Sequence, residues 1–320
     1  MIDVALLGTG GGMPIPNRFL SSMLISYKGR KILVDCGEGT QVSMRLLKWG
    51  FKSIDVILLT HIHGDHILGL PGLFATMGNS GRIDPITIIG PKGIRKFLEG
   101  LMVAVPYLPY SVYLVEASSN SFRINFTKEG LDIDKANGSL YYEDLIISTI
   151  ELDHSSSCIG YSFCIPRRPK FNPKKARSLN IPKNLWKNLQ NGQSIEYEGQ
   201  VIKPNTVLGN ERRGIKLSYI TDTRPIDPIV NFIRESDLFI CEGTYGDNDD
   251  LKNAIKNKHM TFAEAADLAS RANVRELWLT HFSTAMDNPE GYIHNATDVF
   301  PNTKVGYDRM MTTLNYKDDY

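Results

Sequence analysis

The stretch LLTHIHGDHILGLPG, Leu58 to Gly72, places three imidazoles and a carboxylate within six positions: His61, His63, Asp65 and His66. It follows the apolar run Val56-Ile57-Leu58-Leu59 and precedes a segment punctuated by Gly69, Pro71 and Gly72. The chain has only 7 histidines, so three in one short stretch call for a chemical reason. In an extended segment residues i and i+2 point the same way, so His61 and His63 can face one cation. Gly64 then permits a sharp turn, after which Asp65 and His66 face a second cation a few ångströms away.

Three further residues of the same chemical type end predicted strands elsewhere. Leu145–Leu152 alternates as a strand and runs into Asp153 and His154. Lys216–Thr221 ends at Asp222, and Glu276–Thr280 ends at His281. Imidazole and carboxylate are the donors that suit zinc, and manganese is also accommodated. Seven such groups exceed one tetrahedral ion but suit two ions that share a bridging carboxylate and a water. Two ions roughly 3.5–4 Å apart clamp the attacking and leaving oxygens of an in-line displacement and lower the pKa of a shared water toward ~7. His294, alone in a polar stretch, reads as structural.

The remaining elements interleave strands and helices. Ile2–Leu7 is an apolar strand, and SMLISYKGRKILVD is a hairpin turning at Lys28-Gly29. Thr40–Trp49 fits a helix, Asp55–Thr60 and Ile86–Ile89 are short buried strands, and Gly90-Pro91 opens a helix to about Val103. Asp227-Pro228 caps a helix, Asp237–Cys241 is a strand ending at Glu242, and Thr261-x-x-Glu264 is a capping box for Phe262–Ala272. The pattern predicts a mixed sheet with helices outside. Residues 116 to 144 are polar and weakly patterned and carry no functional reading. GTGGGM, Gly8–Met13, lacks the third glycine of a dinucleotide fingerprint. It is either a tight loop at the floor of the metal site, where backbone meets a phosphate, or a plain turn.

Composition sets limits. A formal net charge of +1 and 42% hydrophobic residues give a chain that can bury a core and name no partner class. The four cysteines, Cys36, Cys158, Cys164 and Cys241, form no CxxC pair, so free thiols in a reducing cytoplasm are expected. MIDVALLGTGGG has no basic leader, and no run of 18 apolar residues would span a membrane. Residues 165 to 204 break the pattern. RRPKFNPKKARSLNIPKNLWKN carries Arg167, Arg168, Lys170, Lys174, Lys175, Arg177, Lys183 and Lys187 and no acid, interrupted by prolines. It reads as a basic arm inserted into a single domain spanning 1–320. Phe171 and Trp186 either stack on a ligand or pack a small core of the arm.

With these blocks in view, the chain resembles the metallo-β-lactamase superfamily and, within it, the ribonuclease Z family of tRNA 3′-processing endonucleases. The resemblance runs nearly end to end: LGTGGGMPIPNR, DCGEGTQ, THIHGDHILGLPGL, SYITDTRP, KHMTFAEAADLA and LWLTHFS occur in the family's order. It implies an α/β (α+β) fold, an αββα sandwich of two mixed sheets with helices outside and the metal site at one edge. It implies that His61, His63 and His154 hold one zinc ion, that Asp65, His66 and His281 hold the other, and that Asp222 bridges them. It implies that Asp65 is also the base, that His259 beside Glu242 gives a proton to the leaving oxygen, and that the subunits form a homodimer in which one arm serves the other's site. Two departures stand out. CEGT, Cys241–Thr244, replaces the family's His-Glu-Ala-Thr but keeps Glu242, and NIPKNLWKNLQNGQSI lacks the family's Gly-Pro pair in the arm.

The arm's cations would neutralise backbone phosphates and position a folded RNA by shape. The expected activity is therefore zinc-dependent removal of the 3′ trailer from precursor tRNA, by hydroxide held between two metals, leaving a 3′-hydroxyl and a 5′-phosphorylated trailer. The alternatives are a phosphodiesterase of the same fold acting on small diesters, and a non-catalytic RNA-binding relative. A lactamase is disfavoured because such enzymes often place a cysteine ligand where this chain has Asp222.

Overall fold

The computed structural model describes residues 1–117, 121–127, 130–135 and 144–317. Among these, two large sheets lie face to face. The first contains β1 (Ile2–Gly8), β2 (Ser22–Tyr27), β3 (Arg30–Val34), β4 (Ile54–Leu58), β5 (Ile86–Pro91) and β6 (Val112–Ala117), and β17 (Met311–Leu314) pairs outside β1. The second runs in the order β16-β15-β14-β13-β10-β9-β7-β8. Its members are β7 (Ser121–Thr127), β8 (Gly130–Lys135), β9 (Leu145–Leu152), β10 (Cys158–Arg167), β13 (Arg212–Ile220), β14 (Leu238–Glu242), β15 (Leu277–Thr280) and β16 (Thr303–Val305). Strands β3 to β6 are parallel, as are β13 to β16, and the rest pair antiparallel.

The alternation of side chains along a strand explains the layering. Val4, Leu6, Val34, Val56 and Leu58 point between the sheets and meet Ile147, Tyr161, Phe163, Leu217, Ile240 and Trp278 of the other sheet. Their neighbours Leu7, Leu33, Ile57 and Leu59 point outward, under α1 (Thr40–Leu47), α3 (Leu70–Asn79) and α4 (Ile94–Met102). On the far side Ile220, Phe239 and Leu279 pack under α7 (Asp227–Ile233) and α9 (Phe262–Arg271). The result is four layers, helix–sheet–sheet–helix, as the sequence resemblance implies. Both faces of β4 are covered, and all five of its residues are buried.

Several elements differ from the sequence reading. The hairpin turn is as expected, with Lys28 and Gly29 both at positive φ, the geometry that matches the twist of the flanking strands. The segment after the histidine motif, punctuated by Gly69, Pro71 and Gly72, is helical. A short helix α2 (Gly64–Ile67) leads into α3, whose Pro71 sits in the first turn where no donor is needed. Asp227 does not cap α7. It is the first helical residue, Ile226 precedes it at the cap, and its carboxylate meets Arg271 of α9 at 2.8 Å. The capping box of α9 is present, with Thr261 accepting from Glu264 N–H and Glu264 accepting from Thr261 N–H. Within 116–144, for which the sequence gives no functional reading, β7 and β8 form a hairpin against β9, while 118–120, 128–129 and 136–143 lie outside the described residues.

The arm's limits also shift. β10 continues to Arg167 and β13 begins at Arg212, with a register shift at Pro166, which has no N–H for the ladder. The inserted unit is therefore about residues 168–211. It contains α5 (Pro173–Ser178), α6 (Trp186–Gln190) and the two-stranded ribbon β11 (Ile195–Tyr197) and β12 (Gln200–Ile202). Ala176, Ile181, Leu189, Ile195 and Val207 form its own small core, joined by Phe171 and Trp186. Trp186 Nε1 donates to Ile181 O at 2.9 Å and its ring lies 5.2 Å from Phe171. The two aromatics pack the arm.

Candidate metal centre

The site lies where the parallel strands of both sheets end. β3 gives way to Asp35, β4 to Thr60 and His61, β13 to Asp222, β14 to Glu242 and β15 to His281, with His154 just past β9. Two contacts lock the sheets together beside it: Ile159 N–H donates to Thr60 O at 3.0 Å and Tyr161 Oη to Leu59 O at 2.8 Å. Asp35, Asp222 and His281 have φ of 58°, 51° and 58°. Left-handed backbone is uncommon for such residues and concentrates at functional sites. Here it turns each side chain from the line of its strand toward one point.

Six of the seven histidines converge, and His294 is exposed on the short helix α10 (His294–Thr297), as its isolation suggests. One donor atom each from His61, His63, His154 and Asp222 fall within 4.8 Å of one another, and so do those of Asp65, His66 and His281. Asp222 faces both groups. Its Oδ2 is 3.6 Å from His61 Nε2 and 3.7 Å from His154 Nε2. Its Oδ1 is 3.3 Å from His66 Nε2 and 3.2 Å from His281 Nε2. The motif is not extended throughout, however. His63 is the residue before α2, so Asp65 and His66 are aimed by the first turn of a helix. Gly64 supplies room, since a Cβ there would stand 2.9 Å from Leu68 Cδ1.

Each ring is held from behind. Thr60 Oγ1 is 3.0 Å from His61 Nδ1, Asp35 Oδ2 is 2.8 Å from His66 Nδ1, Lys258 O is 3.3 Å from His154 Nδ1, and Thr244 Oγ1 is 3.1 Å from His281 Nδ1. Such partners fix the ring and leave Nε2 to the site. His63 is reversed, with Nδ1 toward His154 Nε2 at 3.1 Å and Nε2 toward Ser155. Asp35 also accepts from Thr60 N–H and Thr60 Oγ1, both at 2.8 Å.

The donors fit a metal. The Nε2 of His61 is buried with no hydrogen-bond partner. Buried carboxylates demand positive charge, and Asp35, Asp65 and Asp222 have histidines around them where a lysine or arginine would be expected. Burial pushes the Asp65 and Asp222 carboxyls up, but the histidine charges outweigh it and hold both below the usual range. Burial pushes His66 down, and Asp222, Asp35 and Asp65 more than reverse this. A cation supplies the same charge and lets the imidazole ligate as the neutral ring. His61 and His154 are already driven toward the neutral form, chiefly by burial.

Beside this lies a second pair. His259 Nδ1 is 3.2 Å from Glu242 Oε2, and Glu242 also accepts from Thr223 N–H, Met260 N–H and Thr244 Oγ1. Burial lowers His259, but the Glu242 charge prevails and raises it to about 9, so it carries a proton at neutral pH. The cleft, about 380 Å³, is lined by His63, Asp65, His154, Asp222, His259 and His281, with Lys256 and Lys258 at its side.

The glycine loop is the floor of the site. Gly12 N–H donates to Asp65 Oδ2 at 2.7 Å, and a Cβ on Gly11 would fall 2.5 Å from the His281 ring. Both ends of the loop are tied to Asp308, which accepts from Thr9 N–H, Thr9 Oγ1 and Phe19 N–H at 3.0, 2.9 and 2.7 Å. Asp35, Thr60, Thr244 and Asp308 were not singled out from sequence. Asp35 sits at a strand end, the signal that served for Asp222, whereas nothing local marks Asp308. Of the eight arm cations, Lys170, Lys174, Lys175, Arg177, Lys183 and Lys187 are exposed. Arg167 and Arg168 are half-buried, bonding Lys317 O and Asn191 Oδ1.

Residues 2–108 match the family model described as "Anti-Pycsar protein Apyc1". The chain is 57% identical to the ribonuclease Z of Clostridium beijerinckii over 320 residues, covering 100% of both chains. It is 54% identical to the ribonuclease Z of Alkaliphilus oremlandii, covering 99% of this chain and 100% of that one. Among solved structures, the short form of human tRNase Z is similar with a TM-score of 0.64 at 23% identity, covering 98% of this chain and 99% of that one. At that identity the match speaks for the fold.

Proposed function

The chain belongs to the ribonuclease Z family, and from that premise we propose that it removes the 3′ trailer from precursor tRNA by metal-dependent hydrolysis. The observation that carries the proposal is the pair of ligand groups facing opposite oxygens of Asp222. His61, His63 and His154 would hold one zinc ion, Asp65, His66 and His281 the other, with Asp222 between. Divalent cations there supply Lewis acidity, acidifying water to a pKa near ~7 and neutralising charge on phosphoryl oxygens.

The residues around them do the rest. The neighbouring histidines hold the Asp65 carboxyl below the usual range, so it is available as a carboxylate to orient the attacking water and accept its proton. The bond from phosphorus to the tRNA 3′-oxygen breaks, and His259 supplies the proton that oxygen needs. The water oxygen stays on the trailer as part of its 5′-phosphate. Glu242 keeps His259 charged until that step. Exposed lysines and Arg177 of the arm would bind phosphates of the tRNA body. We further propose a cytoplasmic homodimer, supported by the family and by exposed Val42 and Leu46, which share one face of α1. Among the described residues, no helix is long and apolar enough to cross a membrane.

The test is cleavage of a 3′-labelled precursor tRNA lacking CCA, with and without EDTA, alongside bis-p-nitrophenyl phosphate. One metal-dependent cut after the discriminator base is expected, and turnover of the small diester with intact precursor would overturn the tRNA reading. A pH profile checks His259. Because its pKa is raised, the active protonated form is full at neutral pH and is lost as pH rises through about 9. In Glu242→Gln the largest upward influence on His259 is lost, leaving burial against the smaller contributions of Asp222 and Asp65, so the alkaline limb of kcat/KM should move to lower pH. A limb left in place would remove His259 from the proton transfer.

A further inference from the structure

A second cleft, about 300 Å³, adjoins the metal cleft and plays no part in the chemistry above. Thr244, Tyr245, Asp250, Asn253, Ser283 and Tyr292 line it. The two clefts share structure. Thr244 Oγ1, on this wall, bonds Glu242 and the back of His281. Asn257, which lines the metal cleft, donates to Tyr245 Oη at 2.6 Å. These hydrogen bonds link the walls of the second cleft to those of the metal cleft, which places it beside a strand whose phosphate sits at the metal centre.

We propose that this cleft is a nucleobase subsite for one of the two nucleotides flanking the scissile phosphate; the inference rests on the ribonuclease reading above. The walls select a base over a phosphate. Tyr292 is 37% exposed, and the backbone of Gly246 lies flush against its ring: a Cβ there would stand 2.5 Å from Tyr292 Cγ. A ring braced on one side and open to solvent is a stacking platform. Asp250 opens the cleft at the end of the acidic run Asp247–Asp250, which repels a phosphate. Its carboxylate, accepting from Asn253 Nδ2 at 3.0 Å, suits the exocyclic amine or ring N–H of a base. Phosphates are drawn instead to the Lys256 side of the metal cleft.

The experiment measures KM and kcat on precursor tRNAs that differ only at the nucleotides on either side of the cut. Tyr292→Ala should raise KM about tenfold, from the lost stacking, with kcat changing much less. Tyr292→Phe keeps the ring and should restore the wild-type KM. Asp250→Asn exchanges an acceptor for a mixed donor and acceptor, so it should change which base is preferred. If Tyr292→Ala melts early, Asp250→Asn and Tyr292→Leu carry the test. Wild-type KM in Tyr292→Ala, with an unaltered base preference in Asp250→Asn, would overturn the subsite. Failure of the unaltered chain to cut any precursor would instead overturn the underlying reading.

Discussion

Asp65→Ala is expected to lower cleavage of precursor tRNA by about 10²–10⁴-fold, the range for a lost general base, while the chain still folds. Asp65 lies outside the three main hydrophobic clusters, so its loss leaves the sheets and helices packed. The damage is local. The Gly12 N–H loses its acceptor, and His66 and His281 lose the third member of their group. Asp65→Asn separates the contributions, because its amide oxygen can still accept from Gly12 but carries no charge. Single-turnover cleavage and metal content by mass spectrometry should be read together. Near wild-type cleavage with metal still bound would remove Asp65 from the role of base.

Removing the arm should have an effect of similar size on a different quantity. Replacing residues 168–211 with a short linker should weaken precursor tRNA binding and flatten its salt dependence. Six exposed cations engaging phosphates would contribute up to about 5 to the logarithmic salt slope. Hydrolysis of bis-p-nitrophenyl phosphate should persist, because the candidate ligand groups all lie on segments outside the arm. The choice of ends matters. A deletion of Arg167–Gln193, chosen to take the basic run, would remove Ala176, Ile181 and Leu189 but leave Ile195 and Val207 without their core. It would also take Arg167 from β10, where it pairs with Arg212. Equal loss of binding and small-diester turnover in the cleanly bounded deletion would mean that the arm shapes the active site itself.

The sequence by itself determined what depends on periodicity and on local chemical density. The apolar runs at Ile2–Leu7 and Val56–Leu59 marked buried strands, and the HxHxDH cluster with three polar strand ends named the seven candidate ligands. The capping box and the Lys28-Gly29 turn were legible because their hydrogen bonds and backbone angles span only a few residues. The segment after the motif carries no element reading from sequence, because Gly69, Pro71 and Gly72 are breakers in isolation. Here Pro71 sits in a helix's first turn, and Gly69 lies where a Cβ would meet Gly37 O at 2.1 Å. Arm limits were blurred because charge composition does not report where a strand ladder ends. Only the tertiary structure decided how the candidate ligands divide between the two oxygens of Asp222, which nitrogen each of these histidines turns inward, and that Asp35, Thr60 and Thr244 brace them. It alone showed Asp308 closing the glycine loop, through hydrogen bonds to a residue 299 positions away. Contacts of that range leave no period or spacing in a chain, because their geometry exists only once both sheets have packed.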